Sequence, residues 1–172
     1  MPPRLASPAA LDDLLLYRLS RLLGTAGSMV IRLCEGRFGI TRREWRVLAI
    51  LAHEEGLLSS QLAERAQLDR ARTSKAVTSL AAKKLVDRQP RPGDRRQAAL
   101  RLTDAGRSLY AELYPLVMRI NAELLAPLRE DQVARLDEML DSLQARSVEL
   151  VAASELPKAD RRRGAGARRA LG

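Results

Sequence analysis

Apolar residues recur at helical spacing along most of this chain and switch to alternation only once, near residue 100. Leu11, Leu15, Leu19, Leu22, Ala26, Val30 and Leu33 mark a first helix from Leu11 to about Leu33. Gly24 and Gly27 inside it each weaken the helix by roughly 1 kcal/mol and would either kink it or let another helix come close. Thr41-Arg42-Arg43-Glu44 is a capping box with Ile40 and Trp45 at the staple positions, so a second helix should begin at Arg42. It is apolar on nearly every side until His53-Glu54-Glu55-Gly56 ends it. Ser59 to Ala66 reads as a short helix with a hydroxyl N-cap ahead of Leu62 and Ala63, and Gln67-Leu68-Asp69 then delivers Asp69 as N-cap of the next helix. Leu85–Pro90 and Arg95–Thr103 read as strands around a turn at Arg91-Pro92-Gly93-Asp94, with Ala98, Leu100 and Leu102 inward and Ala99 and Arg101 outward. Thr103 caps a long helix with the stripe Leu109, Leu113, Leu116, Ile120 and Leu124, which Pro115 should kink. A last helix, about Glu130 to Leu150, carries an a/d seam through Val133, Leu136, Leu140, Leu143, Ser147 and Leu150.

Two short helices meeting at a tight turn and followed by a hairpin make a winged helix-turn-helix, so the fold expected is mainly α with a small antiparallel β-wing. Five segments follow: an N-terminal tail, 1–10, expected to be disordered; a dimerisation helix, 11–40; the winged helix-turn-helix, 41–103; C-terminal dimerisation helices, 104–152; and a flexible basic tail, 153–172. The seams on the first and last two helices exceed what a small winged head can cover, which predicts a homodimer.

The second helix of the motif has two unlike faces. With Val77 at the centre of the buried side, Thr73, Ser74, Leu80 and Ala81 fall beside it, while Arg72, Lys75 and Ser79 point away with Ala71, Thr78 and Ala82 alongside. That outward face is cationic, hydroxylated and small-sided, and no acid occurs from Arg70 to Lys84, so the backbone can approach base edges in a major groove. The bland alternative, a solvated helix surface, would usually be filled with Glu as well as Lys. Candidate contacts on this helix are Arg70, Arg72, Thr73, Lys75, Thr78 and Ser79. Ser59, Ser60 and Gln61 are candidates for phosphate contacts. Arg88, Arg91, Arg95 and Arg96, with Asp94 as the one acid near the tip, make the hairpin a ribbon for phosphate or a minor groove.

Charge changes the picture by where it sits. Of a net +9, residues 1–40 carry +2, 41–107 carry +7, 108–150 carry −4 and 151–172 carry +4, the pattern of a polyanion-binding head on a separate scaffold. The five aromatics are Tyr17, Phe38, Trp45, Tyr110 and Tyr114, and none lies in the basic segment 59–103, which favours duplex DNA over single strands read by stacking. One cysteine allows no internal disulfide, and the start MPPRLASPAALDD lacks the apolar core of a secretory signal, which together point to a reducing cytosol. No apolar run approaches the roughly 20 residues needed to span a bilayer, so no membrane partner is expected.

Several short motifs in this order resemble the MarR (multiple antibiotic resistance regulator) family: Thr41-Arg42-Arg43-Glu44-Trp45-Arg46-Val47-Leu48, Gln61-Leu62-Ala63-Glu64-Arg65, Leu85-Val86-Asp87-Arg88, and above all Asp94-Arg95-Arg96 followed by Leu102-Thr103-Asp104-Ala105-Gly106. The resemblance covers about residues 11–150. It implies a triangular dimer whose N- and C-terminal helices interleave, with two winged heads on duplex DNA in the cytoplasm of a bacterium or archaeon, associated with the nucleoid. Arg96 would enter the minor groove, oriented by Asp94. The resemblance also implies release by a small aromatic carboxylate bound between the helical platform and the head, where Trp45 and Tyr110 offer aromatic surface and Arg18, Arg46 or His53 an anion partner. One departure is Lys84, where relatives commonly have Gly, so the recognition helix lacks an inexpensive left-handed cap.

Catalysis finds no support. There is one His, His53, no Cys/His cluster for a metal, no glycine-rich phosphate loop and no Ser/His/Asp set, so neither an enzyme nor a cofactor is expected. His53, at a helix end, reads most simply as a cap. The alternatives to a ligand-released repressor are a sequence-tolerant architectural DNA protein and a thiol-responsive repressor using Cys34. Cys34 lies near the end of the first helix, where a buried thiol is the simpler reading.

Overall fold

A computed structural model of the chain describes residues 3–91 and 94–156, with the backbone alone for residues 91 and 94–97. The chain divides into two units, Met1–Ala126 and Pro127–Gly172. The first holds α1 (Leu15–Arg37), α2 (Arg42–His53), α3 (Ser59–Arg65), α4 (Arg70–Ala82), β1 (Val86–Arg91), β2 (Asp94–Leu102) and α5 (Asp104–Leu125); the second holds α6 (Glu130–Ala152). This is the mainly α winged helix-turn-helix that the pattern predicts. Pro92, Gly93 and the basic stretch 158–169, which the sequence reading assigns to a turn and a tail, lie outside the described residues.

The first helix begins later than its apolar spacing suggests. Leu11–Asp13 is a separate 3-10 turn and Leu14 is extended, with ψ at 128°. The cause is Asp13, whose buried carboxylate accepts from the Ala9 and Ala10 amides at 3.1 Å each and folds the chain back on itself. From Leu15 the helix runs unbroken through both glycines to Arg37.

α2 starts where the capping box puts it. Thr41 Oγ1 accepts from the Glu44 amide at 3.2 Å, Glu44 Oε2 accepts from the Thr41 amide at 2.6 Å, and Ile40 and Trp45 are both buried. Asp69 caps α4 as predicted, accepting from the Arg72 amide at 2.7 Å. Ser59 does not cap α3. Leu58 is the N-cap, and the Gln61 side chain satisfies its amide at 2.9 Å, leaving Ser59 inside the first turn.

β1 and β2 pair antiparallel from Val86↔Leu102 to Arg91↔Asp94, with a register irregularity after Pro90, and Gly56 and Leu57 bond to Leu100 as a short third edge. Leu100 and Leu102 point inward and are buried, as the alternation requires. They meet Leu48, Leu62, Leu80 and Leu113 in one core shared by α2 to α5 and the wing. Full burial of each such leucine contributes about 1.5–3 kcal/mol, so the head has its own stable centre. α6 has no buried residue and exposes Leu140, Leu143, Leu150 and Val151. Among the described residues no helix is long and apolar enough to cross a membrane, and no His/Cys/Asp/Glu cluster could hold a metal.

Candidate nucleic-acid interface

Three local devices present α4. At its start, Asp69 caps the helix and also pairs with Arg72 Nε at 3.2 Å. At its side, Glu44 of α2 is buried beneath it, held by Lys83 Nζ at 3.0 Å to both carboxylate oxygens, by Ser79 and by the Thr41 amide. Burial alone would raise the Glu44 pKa, but the hydrogen bonds from Ser79, Thr41 and Lys83 and the charge of Lys83 outweigh it and hold the carboxyl below its ordinary range. At its end, Leu85 N–H donates to Leu80 C=O and Lys84 N–H to Ala81 C=O, both at 2.9 Å, which is the Schellman pattern. Lys84 supplies the left-handed residue itself, at φ 58°. The missing glycine therefore leaves the cap in place and makes it more costly.

Thr103 ties this end to the wing. Its hydroxyl donates to Lys84 C=O at 2.7 Å and accepts from the Gly106 amide at 3.0 Å, and its own amide donates to Leu85 C=O. A Cβ on Gly106 would collide with that Leu85 carbonyl. The Leu-Thr-x-x-Gly motif is thus the joint between α4, the wing and α5.

On α4 itself, Arg70, Ala71, Arg72, Lys75, Thr78 and Ala82 are exposed, and Thr73, Ala76, Val77 and Leu80 are buried. Two assignments change. Thr73 is fully buried and its hydroxyl donates to Asp69 C=O at 3.0 Å, which removes it from the contact face. The buried arc extends toward Ala76, where α2 packs, rather than toward Ser74, which is exposed. Ser79 is half-buried against Glu44, at the edge of the face. Thr78 accepts from Arg88 Nη2 at 3.0 Å, a direct link between β1 and α4. Ser59, Ser60 and Gln61 are exposed at the start of α3. Arg91, Asp94, Arg95 and Arg96 follow the strand backbone to the wing tip, and their side chains lie outside the described residues.

A cleft of about 620 Å³ opens between α1, α2 and α5, with Gly27, Trp45, Arg46, Ile50, His53 and Val117 among its walls. Arg46 is partly committed, donating to Ala66 C=O at 2.9 Å. His53 is the last residue of α2, at the helix end where the sequence puts it, and its Nε2 lies 2.9 Å from Tyr110 Oη. Tyr110 stacks on Trp45 at 5.6 Å and on Tyr114 at 5.2 Å, so it backs the cleft wall, and burial followed by the Tyr114 phenol raises its pKa. Arg18 belongs elsewhere, in a surface depression with Arg4, Asp12 and Arg21. The sequence reading missed Arg42 and Arg65, both in the cleft wall. Arg65 pairs with Glu54 at 3.0 Å, whereas Arg42 has no carboxylate partner among the described residues and reaches to within 3.1 Å of where a Gly27 Cβ would stand. The signal was available: Arg42 precedes Arg46 by one helical turn on the same face. Cys34 is fully buried, and burial followed by the Glu35 charge pushes its thiol up to about 11, the wrong direction for a reactive thiolate.

The sequence model of the MarR family matches residues 38–97, which span α2, α3, α4 and most of the wing. A putative transcriptional regulatory protein for the hcr operon of Thauera aromatica is 31% identical over 105 residues, 61% of this chain and 63% of that relative. The chain therefore spans less than two thirds of that curated relative. The PcaV transcriptional regulator of Streptomyces coelicolor, solved in complex with its natural ligand, is 27% identical, with a TM-score of 0.67 over 82% of this chain and 99% of that one. A MarR/EmrR family transcriptional regulator from Acinetobacter sp. ADP1 shares the fold at a TM-score of 0.75 and 22% identity, covering 81% of this chain and 99% of its own. Residues 38–97 thus match the MarR family, and the winged helix-turn-helix architecture around them is similar to that of its solved regulators.

Proposed function

We propose that this protein is a sequence-specific transcriptional regulator that binds duplex DNA as a homodimer, a repressor on a pseudo-palindromic operator. The observation that carries the reading is the outward face of α4. Arg70, Arg72, Lys75 and Thr78 stand exposed on a helix with no acid, between a capped turn and a basic wing. Such a face suits base edges and phosphates and little else. Arg96 and its neighbours extend the grip to the flanking minor groove. The apolar surface favours a dimer: α1 exposes Leu16, Leu22 and Leu23, and α6 exposes Leu140, Leu143 and Leu150, more than a monomer ordinarily leaves in water. Genomic footprinting followed by competition with random duplex tests the proposal. A repressor binds its footprint about 10³-fold or more tighter than random DNA. Equal affinity for both is the architectural alternative.

The cleft supports an effector. A small aromatic carboxylate would place its ring against Trp45 and its anion on Arg42, with Arg46 and His53 as neighbours. That PcaV is solved with a natural ligand supports the same reading. For release, the ligand has to prefer a head spacing other than the roughly 34 Å that sets two recognition helices in successive major grooves. Calorimetric titration with benzoate, salicylate and heteroaromatic acids, repeated with operator present, tests this. Binding that leaves operator affinity unchanged refutes the effector role.

A further inference from the structure

The side of α4 that faces α2 holds a small cavity of about 220 Å³, bounded by Thr41 at the cap of α2, Arg43 and Glu44 from α2, and Arg72, Lys75 and Ser79 from α4. We propose that Arg43 and Lys75 form a clamp for a DNA backbone phosphate here, so that α2 grips DNA beside the recognition helix. The proposal rests on the DNA-binding function above and adds to it a contact element outside the helix-turn-helix and the wing.

The charges at this cavity do not cancel. Arg72 is paired with Asp69, and Glu44 is buried with both oxygens 3.0 Å from Lys83 Nζ, so its charge is balanced from within. Arg43 and Lys75 are exposed and have no carboxylate partner among the described residues. Two uncompensated cations on one concave wall raise the local potential and favour an anion there.

The position selects which anion. Arg72, Lys75 and Ser79 belong both to this cavity and to the face proposed to enter the major groove. A helix with side chains is about 10–12 Å across and the groove is about 12 Å wide, so a helix that fills the groove has sugar-phosphate backbone along its flanks. Whatever occupies the α2 side of α4 in the complex is therefore backbone rather than base. Arg43, on α2 and outside the groove, meets phosphate with a planar fork suited to two of its oxygens, and Lys75 can supply a point charge beside it. Such a contact fixes register and carries no sequence information.

The test is binding of the full chain to a random-sequence duplex, followed by anisotropy across a salt series, for wild type, Arg43→Ala, Arg43→Gln and Arg43→Lys. Each phosphate neutralised adds about 0.9 to the slope of log affinity against log salt. Arg43→Ala and Arg43→Gln should lower the slope by about 0.9 per bound subunit and the affinity about fivefold per subunit at 0.15 M salt. Arg43→Lys should restore the slope. Melting should be unchanged in all three, because the Arg43 side chain is exposed and bonds to no side chain among the described residues. A wild-type slope in both neutral variants overturns the clamp and leaves the DNA-binding function standing. A wild-type chain that binds no duplex overturns both.

Discussion

Glu44 is the residue through which α2 holds the recognition helix, and replacing it with Gln isolates the part played by its charge. The substitution keeps the size and an oxygen for the Thr41 amide, now 2.6 Å away, but removes the anion facing Lys83 at 3.0 Å. Losing one member of a buried ion pair costs about 3–5 kcal/mol when the partner is stranded. Here Lys83 is not stranded, because its side chain is 36% exposed and can turn to water. A loss of about 1–2 kcal/mol is therefore expected, the range for one charge-assisted hydrogen bond. At about 2–4 °C per kcal/mol for a chain of this length, melting should fall by about 2–8 °C at fixed protein concentration. The loss should depend on pH in one direction only. Glu44 titrates below its ordinary value of 4.5 in the folded chain, so its contribution is complete above that value and disappears as pH falls through the lower, folded one. Urea unfolding of wild type and Glu44→Gln from pH 7 to about pH 3 should give curves that converge on the acid side. A difference that stays constant, or widens with acidification, would refute the assignment of the Glu44 charge to this bridge.

Three further outcomes follow from neighbouring geometry. Lys84→Gly should stabilise the chain by about 0.5–1 kcal/mol in thermal unfolding: relief of a left-handed non-glycine residue, about 1–2 kcal/mol, exceeds the added entropy of the unfolded chain. Gly106→Ala should destabilise by about 2 kcal/mol or more in urea unfolding, because the new methyl meets the Leu85 carbonyl at the wing joint and α5 has to shift. Arg42→Met should weaken binding of an aromatic carboxylate about tenfold or more, read from quenching of Trp45, the one tryptophan, while leaving affinity for ligand-free operator near wild type.

Much of the head was legible in the sequence because its boundaries are set by local chemistry. The capping box at Thr41–Glu44, the Asp69 cap and the Thr103 cap each involve groups within three residues of one another, and the structure has all three. Features that depend on distant groups were less legible. Leu11 fits the helical stripe, yet the helix starts at Leu15 because Asp13 folds onto upstream amides. Thr73 is fully buried, as the spacing that sets it beside Val77 requires and against its place among the candidate DNA contacts. His53 found a partner 57 residues away in Tyr110, and Glu44 one 39 residues away in Lys83. Arg42 belongs to the capping-box segment and, from the same position, to the cleft wall. The cleft residues it joins recur at spacings of three and four along α2, so the same periodicity would have included it.

The central claim is that the exposed face of α4 reads DNA sequence, and the most direct measurement compares Arg70→Ala and Arg72→Ala with wild type on the footprinted operator and on random duplex. A lost base contact lowers operator affinity by about 1–3 kcal/mol and narrows the ratio between operator and random DNA, while the dimer, followed by sedimentation, is unchanged. If both variants keep the wild-type ratio, another surface reads the sequence and the assignment of α4 as the recognition helix is wrong.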